Sequence, residues 1–295
     1  MEAAEFVVPD ITELKNVGLT HADDYTLPQP YDRYTEDDHA VWATLFQRQS
    51  ELLPGRACDE YMEGLAALEV EHDRVPDFNR LNETLSAATG WKIVAVPGLI
   101  PDDTFFEHLA NRRFPVTWWL RDRERLDYLQ EPDVFHDLFG HVPLLINPIF
   151  ADYLQAYGQG GMKAKKLGAL PMLARLYWYT VEFGLINTPE GQRIYGAGIL
   201  SSKGESIYCL DSDSPNRVGF DLKRIMRTKY RIDTYQKTYF VIDSFEQLFG
   251  ATAQDFAPIY QELGELPTFG AGEIVQGDLV HNEGTREGWG ETEDV

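Results

Sequence analysis

Two histidines, His136 and His141, lie five residues apart in the run Glu131-Pro-Asp-Val-Phe-His-Asp-Leu-Phe-Gly-His-Val-Pro143. On an ideal α-helix that spacing leaves the rings about 140° apart, so a straight helix would send them to different faces. Gly140 suits a left-handed helix terminator and Pro143 opposes resumption. The helix is therefore expected to end at Gly140 and to swing His141 back beside His136. A second run, Leu176 to Ile186, is mostly apolar and aromatic and has Glu182 as its only charge. Burying a lone carboxylate costs several kcal/mol, so Glu182 is expected to be paired with a buried Arg, protonated, or bound to a cation. Two neutral imidazoles and one carboxylate match the facial triad that holds non-haem Fe(II) with positions left open. Zinc on the same His2Glu set is the competing assignment, although H-E-x-x-H, H-x-x-E-H and G-x-S-x-G are all absent.

The elements that must position these residues read mostly as helices. Thr35 followed by Glu36, Asp37 and Asp38 is a cap with an acidic first turn, and Val41, Trp42, Leu45 and Phe46 then share one face. Helices are expected over residues 77–88, 101–109, 132–139, 150–165 and 170–186. Residues 91–97 read as a short strand, and residues 114–121 alternate with period two, which predicts a half-buried strand ending in Arg121. Tyr239 to Ile242 reads as a strand handing over to a helix through Asp243-Ser244. The fold class is helix-dominated α+β with short strands in a single catalytic domain. Strands and helices do not alternate regularly enough for a doubly wound parallel sheet. Residues 31–281 form that domain, residues 1–30 are expected to be loosely ordered, and residues 282–295 are expected to be a mobile acidic tail with a single Trp.

The 295 residues carry 26 Lys+Arg against 48 Asp+Glu, a formal net charge of -22. Such a surplus of acid disfavours nucleic acid and anionic membrane as partners. The least polar stretch, Val142 to Phe150, is broken by Pro143, Asn147 and Pro148 and falls short of the ~20 apolar residues of a membrane span. With no signal-like leader and only Cys58 and Cys209, a cytoplasmic protein with two reduced thiols is expected. Gly196-Ala-Gly198 lacks the third glycine of a dinucleotide loop, and no Gly-Lys pair exists for a phosphate loop.

Three motifs in order carry a family resemblance. They are Glu131-Pro132-Asp133 leading into His136 and His141-Val-Pro, then Tyr177-Trp-Tyr-Thr-Val-Glu182-Phe-Gly, then Tyr195-Gly-Ala-Gly-Ile-Leu-Ser-Ser202 followed by Gly204-Glu205. Over about residues 91–248 the chain resembles the pterin-dependent aromatic amino acid hydroxylases, nearest their bacterial phenylalanine 4-hydroxylase branch. The resemblance implies Fe(II) on His136, His141 and Glu182, O2 as co-substrate, and a tetrahydropterin (tetrahydrobiopterin or a related reduced pterin) as electron donor. It implies L-phenylalanine as substrate, with Arg121 gripping its carboxylate through a planar fork, Trp178 and Ser201 lining its pocket, and Glu205 supporting Arg121 or Ser201 from behind. It also places the pterin against Phe105, with backbone contacts from Gly98 and Leu99 and with Ala174 and Tyr177 nearby. Taken as isolated residues, Arg121, Trp178, Ser201, Glu205 and Phe105 read as a surface ion pair, a core aromatic, a loop hydroxyl, a solvated charge and a core aromatic.

The chain departs from the animal members at Asp137, where they carry Glu, so the reach of its water-mediated pterin contact changes. Leu129-Gln130 replaces their Thr-Pro, which removes one substrate hydroxyl contact. The length leaves no room for their regulatory domain and tetramerisation helix, so a monomer is expected. Tryptophan or tyrosine hydroxylation remains an alternative, and a non-catalytic metal- or pterin-binding protein a remoter one.

Overall fold

The structure, a computed structural model, describes residues 11–127 and 131–289. Its first long helix, Glu36–Leu52, starts on a capping box. Thr35 Oγ1 accepts from Asp38 N at 3.1 Å, and the Asp38 carboxylate accepts from Thr35 N at 2.8 Å. Helices Asp59–Ala67 and Phe78–Thr89 follow, the latter capped by Asp77. Strands β1 (Lys92–Val96) and β2 (Arg113–Thr117) pair in parallel, joined by the helix Asp102–Ala110. That helix lies along the nineteen-residue helix Pro148–Lys166, whose first turn is held by Asn147 and begins at Pro148.

A second sheet of five strands is mixed. Its members are β3 (Leu185–Thr188), β4 (Gly191–Ile194), β5 (Asn216–Gly219), β6 (Thr238–Ile242) and β7 (Val280–Asn282), in the order β4-β3-β6-β5-β7. β3 and β5 flank β6 in parallel, while β4 and β7 close the edges antiparallel. Ser244 caps the helix Phe245–Thr252 directly after β6, as the sequence predicts. Two small sheets among many helices give the α+β class. Among the described residues no helix is long and apolar enough to cross a membrane.

Three local expectations change. The stretch 170–186 is not one helix: Leu170–Tyr177 is α-helical, Trp178–Glu182 is a π-helical turn, and Leu185 and Ile186 belong to β3. The strand expected over 114–121 ends at Thr117, short of Arg121, and the stretch is not half-buried, because both alternating sets from Phe114 to Arg121 lie inside; Pro115, Thr117 and Trp119 face protein where the pattern suggested water. The ends within the described residues are also tied down. Ile11–Lys15 is helical and Leu27 bridges Ala95 of β1, while Asn282, Gly284, Thr285 and Arg286 all hydrogen-bond to residues 213–216. Hydrogen bonds to a neighbouring loop, which composition does not reveal, hold residues 282–289 in place of apolar burial.

Candidate active site

His136 and His141 come together through a wider helical turn, and not through a break. Phe135–His141 is a π-helix, so its i→i+5 hydrogen bonding brings residues five apart toward one side. Gly140 does not adopt a left-handed conformation, contrary to the expected terminator, and is needed for a different reason. A Cβ on it would lie 2.8 Å from the carbonyl oxygen of Ala197, the first residue of the short helix Ala197–Leu200 packed against the π-helix. The Trp178–Glu182 turn is π-helical too, with Phe183 N donating to Trp178 O at 2.8 Å. Gly196 lets the chain pass that turn, since a Cβ there would meet Glu182 O at 2.4 Å. Gly196 and Gly198 of the third motif thus serve close packing against the Glu182 turn, and Gly140 of the first motif serves it against the helix that follows Gly196.

The result is a cluster of donors. His141 Nε2 lies 3.3 Å from His136 Nε2 and 3.2 Å from Glu182 Oε1, and His136 Nε2 lies 3.6 Å from Glu182 Oε2. Among the described residues these three form the group of His, Cys and acidic side chains that could hold a metal, with all donor atoms within 4.8 Å. Ser201 fixes the tautomer of His136. Its hydroxyl donates to Ala197 O at 2.9 Å, so it can only accept from His136 Nδ1 at 3.0 Å. The lone pair of His136 is then on Nε2, facing the other donors, and burial pushes the imidazole down to about 4 despite the adjacent Glu182 carboxylate. Burial acts upward on Glu182, but His141 and His136 outweigh it and its carboxyl lies below the usual range. Lone pair and carboxylate oxygens converge with too few protons to separate them, an arrangement that a divalent cation satisfies. No thiolate belongs to the set, and among the described residues no Arg pairs with Glu182 in place of a cation.

A cavity of about 1080 Å³ opens beside this cluster and is lined by His136, Glu182, Arg121, Trp178, Ser201 and Glu205, among others. Arg121 is not a surface ion pair. It is 6 % exposed and forms a fork with the fully buried Asp133, Nε to Oδ2 at 2.7 Å and Nη2 to Oδ1 at 2.8 Å. Burial acts upward on Asp133, yet Arg121 outweighs it and keeps the carboxyl below its usual range. Asp133 also accepts from the backbone N–H groups of Arg121 and His136, so one carboxylate joins the chain just beyond β2 to the first π-turn. The sequence motif contains Asp133 without disclosing this task. Trp178 is fixed by Nε1 donating to Gln236 Oε1 at 2.9 Å and by stacking on Tyr230 at 4.4 Å. Leu129 and Gln130 lie outside the described residues.

Glu205 lines the cavity, but its hydrogen bonds go to Gln236 N at 3.1 Å and to Tyr239 Oη, and not to Arg121 or Ser201. Burial pushes its carboxyl up to about 7 from an ordinary 4.5. Between those values the folded protein holds a proton that the unfolded chain has released, so stability falls as pH rises through this window. Glu205→Gln keeps the accepting oxygen and cannot titrate. Urea melts from pH 4.5 to 8 are expected to show a decline in wild-type stability larger than the variant's by up to about 3 kcal/mol; equal slopes would remove Glu205 as the cause.

The residues tied by resemblance to the pterin include aromatic neighbours of the cluster. Tyr177 stacks at 6.3 Å from His141 and meets Phe105 edge-on at 6.0 Å. Leu99 lines the cavity and is 74 % exposed, an apolar side chain left open beside the site. Gly98 (φ 155°) precedes it, and Ala174 is exposed on the helix before Tyr177. Asp137 is buried, and its Oδ2 accepts from Thr117 N at 2.7 Å, which ties it to the end of β2. Burial pushes its carboxyl up to about 7 against that hydrogen bond.

With this geometry in view, comparison with known proteins decides the family. The family described as biopterin-dependent aromatic amino acid hydroxylase matches residues 13–261. The chain belongs to that family. It is 77% identical over 295 residues to the phenylalanine-4-hydroxylase of Chromobacterium violaceum, covering 100% of this chain and 99% of the relative. It is 70% identical over 278 residues to that of Ralstonia nicotianae, covering 94% and 89% respectively. Among solved structures, the iron- and phenylalanine-bound phenylalanine hydroxylase from C. violaceum superposes with a TM-score of 0.89 at 77% identity, covering 92% of this chain and 100% of that one. The cobalt-bound form gives 0.92 at 79% identity, covering 93% and 100%. A non-haem iron, a reduced pterin and O2 are therefore the cofactors and co-substrate of this hydroxylase.

Proposed function

We propose that this chain is a phenylalanine 4-monooxygenase that converts L-phenylalanine to L-tyrosine with O2 and a tetrahydropterin at an Fe(II) held by His136, His141 and Glu182. The observation that carries this reading is the donor cluster of three side chains on the wall of a cavity that also presents Arg121. Iron and the reduced pterin, when bound, supply oxygen activation and two electrons. The protein's own residues bind, orient and exclude water. Arg121 is engaged with Asp133 through Nε and Nη2, and its Nη1, which makes only a long 3.5 Å bond to Leu126 O, can turn an N–H to the substrate carboxylate, so the amino acid is gripped by a guanidinium that cannot swing. Trp178, immobilised by Gln236 and Tyr230, offers a flat apolar face to an aromatic ring. Ser201 holds His136 in the tautomer that points its lone pair at the metal. Phe105 and Tyr177 offer aromatic surface to the pterin, and Gly98 and Leu99 offer backbone polar groups; a planar neutral ring needs no phosphate loop.

We further propose a monomer working in the cytoplasm, with no nucleic acid or membrane partner. The net charge of -22 opposes self-association, and the unpaired, buried Cys58 and Cys209 suit a reducing compartment. The test is direct. Metal-stripped protein given Fe(II), a tetrahydropterin and air is expected to form tyrosine from L-phenylalanine faster than it hydroxylates tryptophan or tyrosine. A preference for tryptophan would move the protein to a sister activity, and background oxygen uptake with all three would remove the enzymatic reading.

A further inference from the structure

Composition predicts a loose stretch after β7, yet that stretch is folded back against the cavity. Gly284 N donates to Asn216 Oδ1 at 2.9 Å, Thr285 N to Asp213 O at 2.9 Å, Arg286 N to Ser214 O at 3.2 Å, and Ser214 Oγ to Glu287 O at 2.5 Å. Arg286 takes a left-handed φ of 67°, a conformation that costs a non-glycine residue and persists where surrounding contacts enforce it. The turn delivers Trp289, whose ring is flanked by the Arg286 guanidinium at 5.8 Å and the Lys237 ammonium at 5.9 Å. That ring lies directly on Gly272: a Cβ built there would be 2.2 Å from Trp289 Cζ3. Glu287, Gly288 and Trp289 line the same cavity as Arg121, His136 and Trp178.

We infer that residues 287–289 are the outer wall of the amino acid pocket and that Trp289 is a substrate-retaining residue of the hydroxylation reaction. This rests on the function proposed above. The cavity, at about 1080 Å³, exceeds the size of one aromatic amino acid. Its far side must therefore be closed by protein if a bound substrate is to be held and water kept from the reacting centre. The docked segment supplies that closure beside Lys237, which lines the same cavity. Its anchors are backbone carbonyls and Asn216, so the wall depends on the packing of β5 and its preceding loop and not on the metal.

Two variants test the assignment from different sides. Trp289→Ala removes the ring itself. Gly272→Ala adds a methyl group, at an ordinary backbone conformation, that displaces the ring without lining the cavity. Both are expected to raise the KM for L-phenylalanine roughly tenfold, the scale of one lost apolar contact in a specificity pocket. The KM for the pterin should stay within about twofold of wild type, and less tyrosine should form per pterin oxidised because water enters. A lower thermal midpoint with unchanged phenylalanine KM and unchanged product ratio in both variants overturns the proposal and leaves the segment a structural support. If wild-type protein forms no tyrosine, the function fails first and this inference with it, an outcome read from the wild type alone.

Discussion

Replacing Glu182 by Gln is expected to abolish iron retention and tyrosine formation and to leave the metal-free protein less stable than wild type at neutral pH. In the absence of a metal the Glu182 carboxylate faces His141 and His136, which outweigh its burial and hold its carboxyl below the usual range, so the folded state favours the ionised group and gains stability from it at neutral pH. The amide forfeits that gain. Binding of the metal widens the difference, because the carboxylate is the one anionic ligand of the set and a ligand that binds only the folded state adds about 2.7 kcal/mol of stability at a hundred times its Kd. Loss of an anionic ligand should weaken iron binding by more than about a hundredfold, beyond the effect of removing a hydrogen-bonding partner of a ligand. Thermal melts of both proteins with and without Fe(II), with iron counted after gel filtration, check this. A variant that keeps one iron per chain and turns over phenylalanine would mean that the donor set has been misread.

Asp133→Ala is expected to cost about 3–5 kcal/mol of folding stability, because it strands the Arg121 guanidinium in a buried site. For a chain of this size that is roughly 10 °C in thermal midpoint. The same change removes the acceptor for the backbone N–H of His136, so the first turn of the ligand-bearing π-helix loosens with it. Arg121→Met made together with Asp133→Ala should recover much of the stability, since an apolar pair of similar volume needs no compensation. It should recover no activity, since the grip on the substrate carboxylate is gone. Arg121→Lys separates the two roles from the other direction. An ammonium group can neutralise Asp133 yet cannot make both arms of the Nε and Nη2 fork, so phenylalanine KM should rise more than stability falls. If Asp133→Ala melts within about 1 kcal/mol of wild type, Arg121 has another buried counter-charge and the fork is not what holds it.

These expectations draw unequally on sequence and on structure. Glu182 was legible because a lone charge in an apolar run has few physical explanations, and the His pair because no thiolate was in reach, although a π-turn and not the break expected at Gly140 brings it together. The capping residues Thr35 and Ser244 were legible for the same local reason: a side chain two or three positions from an orphan N–H is a short-range fact. The π-helical turns were not. Their wider hydrogen bonding is imposed by neighbours, the Ala197–Leu200 helix against Gly140 and the Gly196 backbone against Glu182, and no pattern within the turn announces it.

What the sequence by itself determined is the chemistry available: two imidazoles and a carboxylate suited to iron, a guanidinium suited to a carboxylate, an acidic α+β chain, and three motifs of one hydroxylase family. What only the tertiary structure decided is who faces whom. Asp133 and Arg121 are twelve residues apart, Glu205 and Tyr239 thirty-four, and His136 and Ser201 sixty-five. Each pair is set by how β2, the π-turns and the second sheet pack, because burial makes an unpaired polar group costly and the fold must find it a partner across the chain. The segment from Gly284 to Trp289 shows the same division: its composition reads as a solvated tail, and its place at the cavity exists only once Ser214, Asn216 and Gly272 are brought beneath it.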